Sequence, residues 1–276
     1  MGRTLGLIAG SGRLPFEVLE AAQACGLEVA VVAIEGYAAP EIEDTVPGEL
    51  LWNPVGQLET TIAFLKERSV DEVILAGGVA KRNAMRDLSA LRLDERALAV
   101  LAGVKERGDD ALLRAVAADL ESEGLSVVDS TRYLEDRLTC AGQLAGPAPD
   151  PVTQADLTLG LRVAKGLGSY DVGQSVVVKE GSVLAVEAVE GTDAAIRRGA
   201  EMGGAGAVVV KASKPNQDLR FDVPVIGPGT IDLARRCGIV AIGLEEGRTL
   251  IVERERTLAR AEEHGIAVIG IGAEVL

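Results

Sequence analysis

Between Val210 and Val223 the chain sets down Lys211, Lys214, Gln217, Asp218, Arg220 and Asp222. Ordinary loops are polar, but few collect two lysines, an arginine, an amide and two carboxylates over so short a span. Lysine and arginine neutralise phosphate oxygens, arginine through a bidentate fork. Asp218 and Asp222 offer hard oxygen ligands of the kind Mg²⁺ prefers. Phosphoryl transfer uses both, because the charged transition state is clamped by cations while a carboxylate or metal activates water. Phe221 and Val223 flank Asp222 and place it at the edge of an apolar strand. A further carboxylate, Glu187, falls inside the apolar run "VLAVEAV". An unpaired charge there is costly, so a lysine, an arginine or a metal ion is expected beside it. Thr192 or Asp193, just downstream, reads as the cap of the next helix.

A different chemistry is suggested near the N-terminus by "GLIAGSGRLP". Gly10, Ser11 and Gly12 form a turn in which backbone can approach a phosphate, and a helix N-terminus follows. The motif departs from the dinucleotide fingerprint G-x-G-x-x-G, because Pro15 stands where the third glycine belongs. Nucleotide binding is favoured over simple tight packing, without pointing to NAD. Glu35, ending the second strand, is placed to reach a ribose hydroxyl. In "LAGGVAKRN" a strand ends at Gly77 and Gly78, and Lys81 and Arg82 follow. A parallel sheet would bring them to the same edge as the first turn, although a solvated loop accounts for them equally well. Asp109 or Asp110, in "RGDDALLRAV", reads first as a helix cap and second as a ribose or metal contact.

The elements that must position these residues alternate along the chain. "TLGLIAG", "LEVAVVAI", "VDEVILAGG" and "LSVVDS" read as strands separated by helical patterns, which predicts a parallel sheet covered on both faces. The second half adds a hairpin around "KEGS" and further strands at "AGAVVVKA", "VPVIG", "IVAIG", "TLIVE" and "IAVIGIG". The expected fold class is α/β, with a Rossmann-like parallel sheet first and a mixed sheet second. Residues 1–135 form the expected nucleotide-binding domain, 136–156 a linker rich in proline and glycine, and 157–276 a catalytic and lipid-binding domain.

Composition narrows the partners. The 276 residues are 47 % hydrophobic, ample for packed cores. A net charge of −14 repels nucleic acid, and 3 % aromatics leave few stacking platforms for bases. Cys25, Cys140 and Cys237 are odd in number and far apart, so neither a disulfide framework nor a zinc site is expected. No apolar run reaches the length of a membrane span and no signal peptide is legible, which points to the cytoplasm. The only histidine, His264, precedes a glycine and reads as a helix C-terminus, leaving carboxylates, lysines or a metal to carry any catalysis.

"GLIAGSGRLP", "GDDALLR", "DVGQSVVVKEG", "LAVEAVEGTDAAIRR" and "KPNQDLRFDVPVIGPGTI" occur in this order. With them the whole chain resembles the LpxI-type UDP-2,3-diacylglucosamine pyrophosphatases of lipid A biosynthesis. The resemblance implies hydrolysis of UDP-2,3-diacylglucosamine to UMP and 2,3-diacylglucosamine 1-phosphate (lipid X) with Mg²⁺, in a cleft between two α/β domains. It also implies that Asp222 is needed for turnover. Asp222, Glu187 and Lys211 are then the catalytic candidates, with Asp222 and Glu187 as metal ligands. Substrate contacts fall to Gly10, Ser11, Gly12, Leu14, Pro15, Gly77, Gly78, Lys81, Asp110, Gln174, Thr192, Asp193, Lys214, Gln217, Arg220, Gly227 and Thr230. The partners implied are a nucleotide-sugar lipid, peripheral contact with the inner leaflet, and a homodimer. A metallophosphoesterase built on histidine ligands is excluded by the single histidine. A nucleotide-sugar-binding regulatory module without hydrolysis is the alternative, while Pro15 disfavours an NAD(P)-dependent oxidoreductase.

Overall fold

Apolar runs dominated by valine, leucine and isoleucine become strands that are buried on both faces, and helices cover them. The computed structural model describes residues 4–46, 49–79, 92–104, 109–215 and 217–272, and of residues 109 and 110 the backbone alone. The chain divides into two units, Met1–Glu135 with Asp218–Asp222, and Asp136–Gln217 with Val223–Leu276.

In the first unit, β1 (Thr4–Ala9), β2 (Glu28–Ile34), β3 (Leu50–Asn53), β4 (Val70–Ala76) and β5 (Ser126–Val127) form one sheet. All neighbours are parallel, in the order β3-β2-β1-β4-β5. Helices α1 (Leu14–Ala24), α2 (Ile42–Thr45), α3 (Leu58–Glu67), α4 (Glu95–Gly103) and α5 (Asp109–Ser122) connect them. Asp94 caps α4 by accepting the N–H of Ala97 at 2.7 Å. Val32, Leu65, Val73, Leu120 and Leu125 build a core against which Phe221 packs. Strand β3 has no counterpart in the sequence reading, since "LLWN" is too short to show a period.

The second unit is a mixed sheet of β6 (Gly142–Ala145), β7 (Ser175–Lys179), β8 (Ser182–Val186), β9 (Val208–Lys211), β11 (Ala241–Glu245) and β13 (Ala267–Ile271). Its order is β6-β13-β11-β9-β7-β8, and β10 (Val225–Ile226) pairs separately with β12 (Leu250–Ile251). β9, β11 and β13 run parallel, whereas β6, β7 and β8 are antiparallel to their neighbours. The hairpin expected at "KEGS" is present, with Glu180 (φ 48°) and Gly181 (φ 75°) both in the left-handed region that a two-residue turn requires. Buried Asp156 holds that turn, accepting the N–H groups of Glu180 and Gly181 at 2.7 Å each. Helices α6 (Pro151–Gly168), α7 (Thr192–Gly203), α8 (Pro228–Arg236) and α9 (Arg254–Glu263) pack around the sheet. His264 follows α9 as its C-cap.

Residues 136–156, read as a linker, are instead built into the second unit. β6 adds antiparallel to β13, with Ala145 opposite Val268. Helix α6 already starts at Pro151, where Asp150 accepts the N–H of Thr153 at 2.7 Å. A proline at the first helical position is a start signal as well as a breaker, and it is used here as a start. Among the described residues no helix is long and apolar enough to cross a membrane.

Gly160 sets how closely α6 lies on the sheet. A Cβ there would stand 2.5 Å from Cγ2 of Val210 and 2.9 Å from its Cβ. Gly160→Val should therefore cost about 1–3 kcal/mol of stability by overpacking, read as a lower urea midpoint. An unchanged midpoint would show that the helix moves away freely.

Candidate functional site

The parallel strands of the second unit end at Lys211, Glu245 and Ile271, the sheet edge at which α/β proteins commonly bind ligands. Because β7 runs antiparallel, its first residue Ser175 lies opposite Lys211. Glu187 follows β8 directly, and its N–H donates to the Ser175 carbonyl at 2.8 Å. Thr192 stands between the two charges. Its hydroxyl donates to Glu187 Oε2 at 3.0 Å and accepts from Lys211 Nζ at 3.1 Å. Ser175 Oγ lies 3.2 Å from the same oxygen. A hydroxyl has one proton, so Ser175 must donate to Thr192, which is then saturated. The cation expected beside Glu187 is thus Lys211, one hydroxyl removed.

Two expectations are corrected here. Glu187 is not inside the strand, which ends at Val186, and it is half-buried. Thr192 and Asp193 do not cap α7: the cap position is Gly191 (φ 86°), without a side-chain bond. Asp193 is exposed, 3.8 Å from Arg197. Among the described residues Thr192 is the hydrogen-bond partner of Lys211, leaving two of its three N–H donors for a ligand. Ammonium and carboxylate side by side can clamp a phosphate oxygen and accept a proton from water.

Beyond β9 the chain is tightly bonded. Ala212 donates to the Gln174 carbonyl at 2.9 Å. Ser213 is buried, and Glu245 Oε2 accepts both its N–H at 2.7 Å and its hydroxyl at 2.8 Å. Lys165 donates to Glu245 Oε1 at 2.7 Å and to the Ser213 carbonyl at 3.0 Å. The Lys214 N–H donates to Gln217 Oε1 at 2.7 Å, and its ammonium pairs with Asp171. Gly227 precedes α8 and donates to Thr230 Oγ1 at 3.4 Å. A Cβ at Gly227 would meet Val252 Cγ2 at 2.8 Å, so packing already requires this glycine.

Asp222 belongs to the segment Asp218–Asp222, which is part of the first unit. The Leu219 carbonyl accepts from the Ser130 N–H at 3.3 Å and its hydroxyl at 2.8 Å. Arg220, expected to fork onto phosphate, forks onto Asp218 instead, with Nε at 2.9 Å from Oδ1 and Nη2 at 2.7 Å from Oδ2. Its Nη1 donates to Glu121 at 3.0 Å. These hydrogen bonds from Arg220 hold the Asp218 carboxyl below the usual range. Asp222 lies half-buried just after a turn, not on a strand edge; its N–H approaches the Asp218 carbonyl at 3.4 Å.

The glycine-rich turn of the first unit is packed backbone to backbone. Gly10 donates to the Ala76 carbonyl and Ser11 to the Gly78 carbonyl, each at 2.8 Å, so neither N–H faces a phosphate. A Cβ on Gly77 would lie 2.4 Å from the Ser11 carbonyl oxygen, which explains glycine there by close approach. Leu14 and Pro15 are buried in the packing of α1 and offer no surface to a ligand. Ser11, Gly12, Gly77 and Gly78 form the exposed rim, and Glu35 is exposed at the end of β2. Lys81 lies outside the described residues, as does the side chain of Asp110.

Among the described residues no group of three or more histidines, cysteines, aspartates or glutamates could hold a metal ion. Mg²⁺ more often binds one or two carboxylates together with substrate phosphates than a protein cage. Glu187, whose Oε1 has no partner among the described residues, fits that second mode.

Family models match both halves of the chain, the LpxI N-terminal domain over residues 4–137 and the LpxI C-terminal domain over residues 140–269. A relative from Caulobacter vibrioides, named UDP-2,3-diacylglucosamine pyrophosphatase LpxI, is 39 % identical over 280 residues, covering 98 % of each chain. Solved structures match only weakly. An isoflavone reductase covers 99 % of this chain and 80 % of its own at 14 % identity and a TM-score of 0.29. A leucoanthocyanidin reductase–NADPH complex from Vitis vinifera covers 44 % and 47 % at 18 % identity and 0.27. Neither likeness carries an argument.

The Asp218–Arg220 fork makes a pH-dependent contribution. A depressed carboxyl stabilises the fold above its unfolded pKa of about 3.9, and that contribution disappears as pH falls through the folded value. Asp218→Asn should lower urea stability at pH 7 by about 1 kcal/mol or less, with the gap to wild type closing below about pH 4. A gap independent of pH would contradict this.

Proposed function

The chain belongs to the LpxI family, and from that premise we propose that it hydrolyses UDP-2,3-diacylglucosamine to UMP and 2,3-diacylglucosamine 1-phosphate. The observation carrying this reading is the 39 % identity that extends over 98 % of both chains. In the proposed reaction a water oxygen bonds to one phosphorus and the anhydride P–O bond breaks. Two phosphate monoesters leave, and the proton of water passes to a base.

Lys211 is proposed to neutralise phosphate oxygen with the N–H donors that Thr192 leaves to it. Its charge would matter most as the transition state develops. The Thr192 hydroxyl, fixed by Ser175, keeps Lys211 and Glu187 from collapsing into a direct ion pair that would close both to substrate. Glu187 and Asp222 are each proposed as carboxylates that accept the water proton or hold Mg²⁺ beside the substrate's own phosphate oxygens. When bound, Mg²⁺ would offset the diphosphate charge. The exposed rim of Ser11, Gly12, Gly77 and Gly78 is the proposed nucleotide contact, made with backbone rather than aromatic groups.

The substrate's two acyl chains anchor it in a lipid leaflet, so turnover is proposed at the inner leaflet with peripheral contact only. Each buried CH₂ contributes about 0.8 kcal/mol, enough for the chains to supply much of the binding. UDP-glucosamine should accordingly show a kcat/KM lower by about 10²-fold or more. Comparable kcat/KM for the two substrates would remove the acyl-chain role.

The direct assay combines the purified protein, UDP-2,3-diacylglucosamine and MgCl₂, with UMP release as the readout. EDTA should abolish release. Asp222→Ala should lose about 10³-fold in kcat with little change in substrate affinity, because its interaction is made chiefly in the transition state. Substrate binding without UMP release from wild type would favour the non-hydrolytic binding module. Near wild-type kcat with a lowered melting temperature in Asp222→Ala would make Asp222 a structural residue.

A further inference from the structure

We infer that Lys165 and Glu245 are positioning residues for the reaction proposed above, acting through Ser213 to fix the path by which the chain leaves β9. Lys165 comes from α6, Glu245 ends β11, and Ser213 lies two residues beyond β9. Three elements therefore converge on a single loop residue. That residue lies next to Lys214 and two positions from Lys211.

The network is complete. Lys165 Nζ donates to Glu245 Oε1 at 2.7 Å, to the Ser213 carbonyl at 3.0 Å and to Ser213 Oγ at 3.5 Å. Glu245 Oε2 takes the Ser213 N–H and hydroxyl. An ammonium has three protons and a hydroxyl one, so these bonds use every donor of both side chains. Neither charge is left for substrate, which separates this cluster from Lys211, with its two remaining donors. Lys165 and Glu245 are thus not catalytic residues, and they act only through the backbone they hold.

Stability does not require such a pair. The Lys165 and Glu245 side chains are only 19 % and 10 % exposed. Buried ion pairs replaced by apolar residues of similar volume often leave stability unchanged or raised, whereas removal of one partner is strongly destabilising. What methionines cannot supply are the bonds to the Ser213 N–H, carbonyl and hydroxyl. These bonds fix where the backbone goes after the strand. The turn they lead into is itself closed by Lys214 and Gln217, whose backbone and side chain bond one another at 3.1 and 2.7 Å.

The test uses the full-length protein carrying Lys165→Met and Glu245→Met together. The double variant should melt below wild type, because the buried Ser213 N–H, carbonyl and hydroxyl lose their partners, and each single variant, left with an unpaired buried charge, should melt lower still. Amide exchange at Ser213, Lys214 and Gln217 should rise about 10-fold or more in the double variant, as expected when buried backbone bonds are lost. UMP release should fall about 10- to 10²-fold in kcat, with KM within about twofold of wild type. A stable double variant with wild-type kcat and unchanged exchange would overturn the inference. If the double variant fails to fold, Ser213→Ala gives the second test, because it removes the hydroxyl bonds and keeps the ion pair. It should show faster exchange and lower kcat at unchanged KM, and wild-type values of both would again overturn the inference. The exchange readout needs no substrate. Absence of UMP release from wild type would thus strike the proposed reaction, while unchanged exchange in the variants would strike the positioning role.

Discussion

A carboxylate at the end of a strand in a packed sheet needs a cation or several N–H groups within reach, and two such carboxylates organise one edge of the second unit. Glu245 ends β11, and Glu187 follows β8. The two needs are met differently. Glu245 is closed off, its two carboxylate oxygens bonded to Lys165 and Ser213. Glu187 is met through the Thr192 hydroxyl, which leaves donors on Lys211 and one carboxylate oxygen open. The closed network suits holding a loop, and the open one suits holding a ligand. Both sit where the strand order and direction bring chain ends together, so the sheet topology decides which charges meet.

The same principle governs the loop whose crowd of charges first suggested phosphate chemistry. Most of those charges neutralise one another or nearby residues. Arg220 serves Asp218 and Glu121, and Lys214 serves Asp171. Ser130 and the core around Phe221 hold the segment Asp218–Asp222 within the first unit. Of the basic residues described in this loop, Lys211 is the one held by a neutral hydroxyl, whereas Lys214 and Arg220 are in ion pairs. Among the acidic ones, Asp218 is engaged in the fork with Arg220.

Much of the fold was legible because its signals are local. Runs such as "LEVAVVAI" become central parallel strands, "KEGS" forms the hairpin turn, and His264 ends a helix, each decided by a few adjacent residues. The need of Glu187 for a cation was legible too, from the cost of a charge in an apolar run. The same reasoning applied to "VAIGLEE" would have found Glu245, and through it Lys165. Other features depend on contacts between distant residues. Glycine at Gly10 reads as a phosphate-binding signal, yet the backbone of Gly77 and Gly78 packed against it demands it. Proline at Pro151 reads as a breaker until Asp150 is seen capping a helix. Nothing local to "DLRFD" shows that this segment belongs with residues far upstream, since Ser130 and Glu121 make those bonds across a long stretch of chain.

Water-driven cleavage of a diphosphate can be read directly from isotope transfer. The full-length protein, UDP-2,3-diacylglucosamine and MgCl₂ would be incubated in H₂¹⁸O, and both phosphate products analysed by mass spectrometry and ³¹P NMR. Hydrolysis requires one ¹⁸O atom in one of the two products, UMP or 2,3-diacylglucosamine 1-phosphate, and none in the other. Intact substrate after prolonged incubation, or products without ¹⁸O in either phosphate, would contradict it.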